Sequence, residues 1–255
     1  MYLKFITWIV TFIALQAPPG RPTFIPEAKE TKEDAAVRHE EIAKDIAAVL
    51  AEEEPLFKGP QGRVKTASVV LAIMTYESGF MRNVDLGLGK LAKGDSGRSA
   101  CMMQINVGAG RTFDWNIKKS RPALPTDPPE DIEKGYTQKE LIADRKKCIR
   151  AGYRIIKVSF RGTSSLPATE WLRIYASGKS DAGSAESKLR MGLALKYFSA
   201  HKPDFTDEDW MSPEKALEKE PQPSALLGEP SVEFIPPWTK NHFVRSIETP
   251  LGLGF

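Results

Sequence analysis

The sequence predicts a mainly α-helical domain that carries one short extended segment. Apolar side chains recur at helical spacing in four stretches, at about residues 31–54, 64–78, 137–160 and 184–200. Residues 101–107 form a compact apolar segment without that spacing, which indicates a short strand or an extended turn. With 255 residues and 41% hydrophobic composition, the chain can bury one core and still carry extensions.

Composition and charge narrow the classes of partner and cofactor. The net charge of +3 is mildly basic, and Lys alternates with Glu along most of the chain, so the charged residues are expected on solvated helix faces. This pattern suits an anionic polymer or surface and does not call for nucleic acid. The three histidines are scattered and the cysteines are not closely paired, so we expect neither a metal site nor a cofactor.

The N-terminus carries an almost unbroken apolar run at residues 5–14. This run is short for a transmembrane helix but has the length of a signal-peptide core. Leu15-Gln16-Ala17 resembles a processing site, whereas Pro18 would hinder cleavage there. We therefore expect residues 1–30 to be a signal peptide, or a membrane tether through residues 3–17, followed by a Pro-rich linker. A soluble N-terminal helix is the alternative.

The first two helices of the domain have clear boundary signals. Thr31 is the expected N-cap of a helix that runs to about Glu54, with Asp34 in the capping-box position. Its buried stripe is expected to consist of Ile42, Ile46, Val49 and Leu50. A second helix is predicted over 64–78, and the glycine-rich stretch 79–100 is predicted to be a long irregular loop.

The second half of the chain alternates between helical pattern and proline-rich stretches. Prolines exclude a helix from residues 120–136, and the helix over 137–160 is expected to bury one face. Shorter helices are predicted at 168–176 and 184–200, the second with Leu189, Leu193 and Tyr197 facing inward. We expect the domain to span residues 31–200 and residues 201–255 to form a Pro-rich extension.

Glu77 is a carboxylate on the apolar face of the helix predicted over 64–78. Val70, Ile73 and Met74 precede it by seven, four and three residues, and Gly79 marks the end of the helix. Glu77 is therefore expected to be half buried at the negative pole of the helix dipole, where both effects disfavour the ionised carboxylate. A carboxyl that stays protonated near neutral pH can act as a general acid. The alternative is a solvated surface glutamate.

Three short segments occur in a fixed order along the chain. They are residues 77–80 (Glu-Ser-Gly-Phe), 101–106 (Cys-Met-Met-Gln-Ile-Asn) and 175–178 (Tyr-Ala-Ser-Gly). Together they resemble the soluble lytic transglycosylase (SLT) domain of the lysozyme-like superfamily. The resemblance covers about residues 60–200, and it implies a lysozyme-like α+β domain with a small extended segment and a catalytic cleft. Cys101 and Ala176 depart from the family pattern, which usually has Gly and Asn there.

The resemblance implies cleavage of the β-1,4 bond between N-acetylmuramic acid and N-acetylglucosamine in peptidoglycan. Glu77 would protonate the bridging oxygen as an oxocarbenium-like state forms. The same carboxylate would then take a proton from the muramoyl 6-hydroxyl, and a 1,6-anhydro product results. The implied partner is a peptidoglycan glycan strand, and the implied location is the periplasm, the cell envelope or, if a phage encodes the chain, the virion.

The family pattern also assigns candidate substrate-binding residues. They are Ser78, Met103, Gln104, Asn106, Tyr175 and Gly178. The amides of Gln104 and Asn106 can donate to and accept from a glycan, Met103 is expected to line the cleft, and Tyr175 matches a tyrosine that contacts the catalytic glutamate. Core packing is the alternative for Met103 and for Tyr175.

Two alternatives to the transglycosylase stay open. A lysozyme-type hydrolase would need an assisting acid, and Asp85 and Asp95 are the acids between Glu77 and Gln104, although loop aspartates commonly form turns. A lysozyme-like module that binds glycan without cleaving it is the other. A membrane-tethered protein that recruits partners through tail tryptophans Trp210 and Trp238 is a more remote third class.

Whether the two cysteines are expected to be oxidised depends on the compartment of the protein. If the chain leaves the cytoplasm, Cys101 and Cys148 are expected to form a disulfide that pins the extended segment to the following helix. If the chain stays inside, they are expected to be small buried residues.

Overall fold

The computed structural model describes residues 2–20, 25–107 and 136–207 of the chain. These residues form a mainly helical structure with one small antiparallel sheet, which confirms the predicted fold class at that level. The α-helices are α1 (Tyr2–Gln16), α2 (Lys32–Glu52), α3 (Gly62–Glu77), α4 (Arg82–Asp85), α5 (Gln138–Ala143), α6 (Arg145–Gly162), α7 (Arg173–Ser177) and α8 (Ser184–Ala200). The strands are β1 (Ser99–Ala100) and β2 (Ile105–Asn106).

All described residues belong to one compact unit that comprises residues 1–218. The proline-rich stretch predicted at 120–136 lies outside the described residues except for Tyr136, and so does the predicted C-terminal extension from residue 208 onward, with both tail tryptophans. Short 3-10 helices at Pro26–Ala28, Lys90–Ala92, Asp95–Gly97 and Ala168–Glu170 complete the secondary structure of the described residues.

Helix α1 contains the N-terminal apolar run and packs into the hydrophobic core. Its fully buried side chains are spaced as one helical face and lie against α2 and α3: Phe5, Ile9, Phe12 and Ile13. Trp8 Nε1 donates to the carbonyl of His201 at 2.7 Å, and the Tyr197 hydroxyl donates to the carbonyl of Trp8 at 3.0 Å. Within the described ranges, no helix has both the length and the apolar character needed to cross a membrane.

Helices α2 and α3 begin and end close to the predicted positions. The side chain of Thr31 accepts from the backbone N–H of Asp34 at 3.0 Å, which confirms the predicted N-cap of α2. The predicted stripe of α2 is buried, with no member more than 1% exposed: Ile42, Ile46, Val49 and Leu50. Helix α3 is buried along most of its length and contacts α1, α2 and α8, so it is the central helix and fixes the position of its last residue, Glu77.

The helix predicted over 137–160 is two helices that meet at Asp144. This residue has an extended backbone (φ −131°, ψ 101°), and its side chain accepts from the N–H of Lys147 at 3.1 Å as the N-cap of α6. An aspartate that caps one helix at the end of another interrupts the backbone without interrupting the apolar spacing. The helix predicted over 168–176 is likewise divided, into the 3-10 turn Ala168–Glu170 and α7.

The sheet is a two-residue hairpin that a disulfide ties to the helical core. Ser99 pairs with Asn106 and Ala100 with Ile105. Cys101, in the turn between the strands, is bonded to Cys148 on α6 with the two Cα atoms 6.2 Å apart. The predicted disulfide is confirmed, and it holds the hairpin against α6.

Candidate active site

Glu77 is the last residue of α3 and is half buried, as the sequence predicts. Its side chain is 19% exposed, and the residues that follow leave the helix axis at once. Ser78 lies at the C-cap, where its hydroxyl donates to the carbonyl of Met74 at 2.9 Å. Gly79 has a φ of +56°, a conformation that favours glycine, so the chain turns away and leaves the carboxyl at the helix end.

Arg190 on α8 forms an ion pair with Glu77 that was not predicted. Its Nη2 lies 2.6 Å and its Nε 3.2 Å from the same carboxylate oxygen, Oε1. The guanidinium also lies over the ring of Tyr76, 5.6 Å from the ring centroid, and its Nη1 donates to the carbonyl of Glu186 at 3.1 Å. Two further contacts, with the ring of Tyr76 and with the carbonyl of Glu186, therefore position Arg190 against the carboxylate.

The pairing of Arg190 with Glu77 was not predicted because the buried face of α8 differs from the face that the sequence predicts. The sequence predicts that Leu189 faces inward, but Leu189 is 45% exposed and the buried stripe is Ser187, Met191, Ala194 and Tyr197. These positions are spaced by three and four residues, and Arg190 lies at the edge of the face they define. This spacing is present in the sequence, but Ser187 is polar and Ala194 is small. The neighbouring leucines are more hydrophobic, so the sequence pattern points to them as the buried residues instead.

The environment of Glu77 favours the protonated carboxyl. Burial raises the pKa of Glu77 above its ordinary value and is the largest effect, while the charge and the hydrogen bonds of Arg190 act in the opposite direction. The charge of Asp95 raises the pKa further. Desolvation outweighs the pair with Arg190, so Glu77 retains a proton at higher pH than an exposed glutamate does.

Tyr175 on α7 lies near Glu77, but its hydroxyl is bonded elsewhere. The phenol donates to the carbonyl of Met103 at 2.7 Å. Burial, followed by the negative charge of Glu77, raises the pKa of Tyr175 well above its usual value, so the phenol stays protonated. Tyr175 therefore connects α7 to the turn after β1 and is within electrostatic range of Glu77. The family pattern predicts contact with the glutamate itself, and the described structure has no hydrogen bond between the two side chains.

The side-chain amide of Gln104 closes the glycine-rich loop. Its Oε1 accepts from the N–H of Gly94 at 2.8 Å, and its Nε2 donates to the carbonyls of Cys101 at 3.1 Å and Ala92 at 3.3 Å. A Cβ at Gly94 would approach Oε1 to 2.5 Å, so glycine is required for this contact. In this structure the amide of Gln104 forms hydrogen bonds with backbone groups of the loop and the turn, and its predicted role in binding sugar stays a prediction.

The other predicted substrate-binding residues occupy different environments. The side chain of Met103 is fully buried against Gly152 on α6 and has no surface toward a ligand, because the hairpin turn packs it into the core. Asn106 on β2 is exposed, and its Nδ2 lies 3.4 Å from Oδ2 of Asp95. Gly178, with a φ of +76°, ends α7 and is exposed. Of these residues, Asn106 and Gly178 are accessible and Met103 is not.

Asp95 and Asp85, the two candidate assisting acids, lie in different parts of the fold. Asp95 is exposed, accepts hydrogen bonds from the hydroxyl of Ser99 and from Asn106, and acts electrostatically on Glu77. Asp85 is buried, and its two oxygens each lie 3.0 Å from a nitrogen of Arg145. The charged groups that act on the pKa of Glu77 are Arg190 and Asp95, and Asp85 is not one of them.

Asp85→Asn is expected to destabilise the fold by about 3 kcal/mol, because the change leaves Arg145 without its bidentate partner in a buried position. Chemical denaturation of the variant measures the loss, with the exposed Asp181→Asn as a control of equal charge change. A variant that keeps the stability of the wild type would contradict this structural role.

A cavity of about 340 Å³ lies beside the segment that follows Glu77. It is lined by residues that follow α1, by residues 28–30, by α2 and by the turn at residues 79–82, and Glu77 is not among the lining residues. The predicted catalytic cleft around Glu77 therefore stays a prediction. Among the described residues, no group of three or more His, Cys, Asp or Glu side chains is placed to hold a metal ion.

The half-buried carboxyl at the end of α3, its partner Arg190, the phenol of Tyr175 and the exposed Asp95 are thus the groups gathered at this end of the fold. In comparisons with protein-family models, with curated proteins and with solved structures, nothing matches this chain.

Proposed function

We propose that this protein is a peptidoglycan-cleaving lytic transglycosylase that uses Glu77 as its general acid and base. The observation that carries the proposal is a carboxyl of raised pKa, half buried at the end of the central helix. The ordered segments at residues 77–80, 101–106 and 175–178 add the resemblance to the SLT domain, and the hydrogen bond from Tyr175 to Met103 links the last two.

The proposed reaction begins with the protonated carboxyl of Glu77. It donates its proton to the oxygen between muramoyl and glucosaminyl units as the bond breaks toward an oxocarbenium-like state. The resulting carboxylate accepts a proton from the 6-hydroxyl of the muramoyl unit, and that oxygen closes on the anomeric carbon. One carboxyl performs both proton transfers, so the transglycosylase requires no second acid.

A lysozyme-type hydrolase is the second candidate, and one observation favours it. Asp95 is close enough to Glu77 for its charge to raise the pKa of that carboxyl. A second carboxylate beside the acid can activate water or stabilise the positive charge that develops on the sugar. The exposure of Asp95 and its bonds to Ser99 and Asn106 are also those of a turn-forming aspartate.

The masses of the released muropeptides distinguish the two reactions. After digestion of purified sacculi, the transglycosylase is expected to give 1,6-anhydro products, which are lighter by one water than the hydrolase products with reducing ends. Asp95→Asn is the matched variant: it should leave the anhydro product in place if Glu77 acts alone. Products with reducing ends that disappear in Asp95→Asn would instead establish the hydrolase, and the absence of any released fragment would overturn the proposed function.

A further inference from the structure

The ion pair between Arg190 and Glu77 is partly accessible. The side chain of Arg190 is 12% exposed and that of Glu77 19% exposed, so part of each side chain is in contact with solvent. Arg190 directs Nε and Nη2 to Oε1 alone, and Oε2 of Glu77 accepts no hydrogen bond from any described residue. The guanidinium is thus aligned on one oxygen, although its planar edge is suited to both oxygens of a carboxylate.

The pair conflicts with the chemistry proposed for Glu77. A guanidinium that donates two hydrogen bonds to a carboxyl oxygen stabilises the ionised form. A general acid must carry a proton when the glycosidic oxygen is in place. The resting pair therefore works against the effect of burial on Glu77, and this opposition is removed if Arg190 exchanges Glu77 for another anion when substrate binds.

Peptidoglycan strands contain suitable anions. Their lactyl and peptide substituents carry carboxylates, whereas the sugar hydroxyls and acetamido groups are neutral. A substrate carboxylate at Arg190 can accept one hydrogen bond on each of its two oxygens. Glu77, in contrast, accepts both hydrogen bonds on Oε1. The stack on Tyr76 and the bond from Nη1 to the carbonyl of Glu186 can persist during the exchange, because neither involves Glu77.

We propose that Arg190 is a subsite for a carboxylate of the substrate, and that binding of this carboxylate draws the guanidinium from Glu77, which then takes up a proton from water. This inference rests on the proposed function. The other groups that interact with Glu77 are Asp95 and Tyr175, and Tyr76 lies against Arg190. With Arg190 engaged elsewhere, burial and the negative charge of Asp95 remain, and both favour the protonated carboxyl. Arg190 is in this sense both a specificity-determining and a positioning residue.

The test compares two forms of one substrate. Soluble peptidoglycan strands are used as isolated and after their carboxyl groups have been converted to primary amides with carbodiimide and ammonia. The wild type is expected to cleave the native strands about tenfold faster than the amidated ones, the factor that one charge-assisted contact of ordinary strength contributes. Arg190→Gln is expected to cleave the two forms at rates within about twofold of each other.

Lys188→Gln is the matched control. Lys188 lies on the same helix and the change removes the same charge, but its side chain is 56% exposed and pairs with Glu170. This variant should keep the preference of the wild type. The pH dependence of kcat/KM gives a second readout: in Arg190→Gln the alkaline limb should move to higher pH, because the cation that favours ionised Glu77 is absent. The shift of this limb tests the action of Arg190 on Glu77, whereas the preference for native over amidated strands tests the carboxylate subsite and would not change if Arg190 had only a structural role.

The outcomes separate this inference from the proposed function. A wild type that cleaves native and amidated strands equally fast overturns the inference and leaves the transglycosylase in place. A wild type that cleaves neither form overturns the proposed function. If Arg190→Gln fails to fold, Arg190→Lys, which keeps the charge but not the two-pronged edge, should show a reduced preference, and an undiminished preference there would contradict the carboxylate subsite.

Discussion

Glu77→Gln is expected to reduce the rate of peptidoglycan cleavage by about a thousandfold, within the range found when general acid–base catalysis is lost. The amide has nearly the same shape as the carboxyl but cannot donate a proton of suitable acidity or accept one afterwards. Because the proposed reaction uses Glu77 in both proton transfers, no other described residue at this end of α3 can replace it fully. Tyr175 stays protonated and bonded to Met103, and Asp95 is exposed.

Zymography and turnover on purified sacculi measure this loss. Glu41→Gln, an exposed change of the same kind on α2, serves as the control and should retain activity. Sedimentation with sacculi then separates a loss of catalysis from a loss of binding, since Glu77→Gln should still bind. Clearing at the wild-type rate by Glu77→Gln would reject the assigned role of the carboxyl, whereas a wild type that binds sacculi without clearing them would leave glycan binding as the better description.

The position of Glu77 could be predicted because its signals are local. Val70, Ile73 and Met74 define the face of α3, and Gly79 marks its end. The partner of Glu77 could not be predicted in this way, since Arg190 lies 113 residues further along the chain. Which side of α8 meets α3 depends on packing, and packing leaves Leu189 exposed while it buries Ser187.

The N-terminal apolar run shows why one pattern supports two interpretations. A run of about ten apolar residues has the length of a signal-peptide core and equally that of a helix buried in a globular domain. In the structure, Phe5, Ile9 and Phe12 of this run are fully buried. Hydropathy alone does not report the contacts that make the difference, such as the bond from Trp8 to the carbonyl of His201. Export of the protein stays a prediction.

The segment around Gln104 shows the same limit for a side chain. An amide is suited to a sugar hydroxyl and also to a backbone loop, and the sequence does not distinguish the two. The turn places Gln104 at a φ of +44°, which directs its amide toward Gly94 and Ala92 of the preceding loop. Met103, one residue earlier, is consequently turned into the core against Gly152. These orientations follow from the hairpin geometry, which no local signal in the sequence specifies.

Loss of the Cys101–Cys148 disulfide is expected to lower the free energy of unfolding by about 4 kcal/mol, the chain-entropy value for a bridge that closes a loop of this length. For a domain of this size the change corresponds to a fall in Tm of roughly 10 °C. The bridge joins the hairpin turn to α6, so its loss should also loosen the turn that carries Gln104 and the carbonyl bonded by Tyr175.

The double variant Cys101→Ser with Cys148→Ser, compared with the wild type by thermal and chemical denaturation, measures this effect. Both cysteines are buried, so each hydroxyl adds a small desolvation cost, and Cys101→Ala with Cys148→Ala is the control that removes it. Both double variants should show a loss of similar size. Because reductant acts on the bond alone, the wild type in dithiothreitol should approach the stability of the alanine variant. If repeated unfolding and refolding in reductant leaves the Tm of the wild type unchanged, the disulfide does not stabilise the fold. The position of the hairpin would then be attributed to the packing of Met103 on α6.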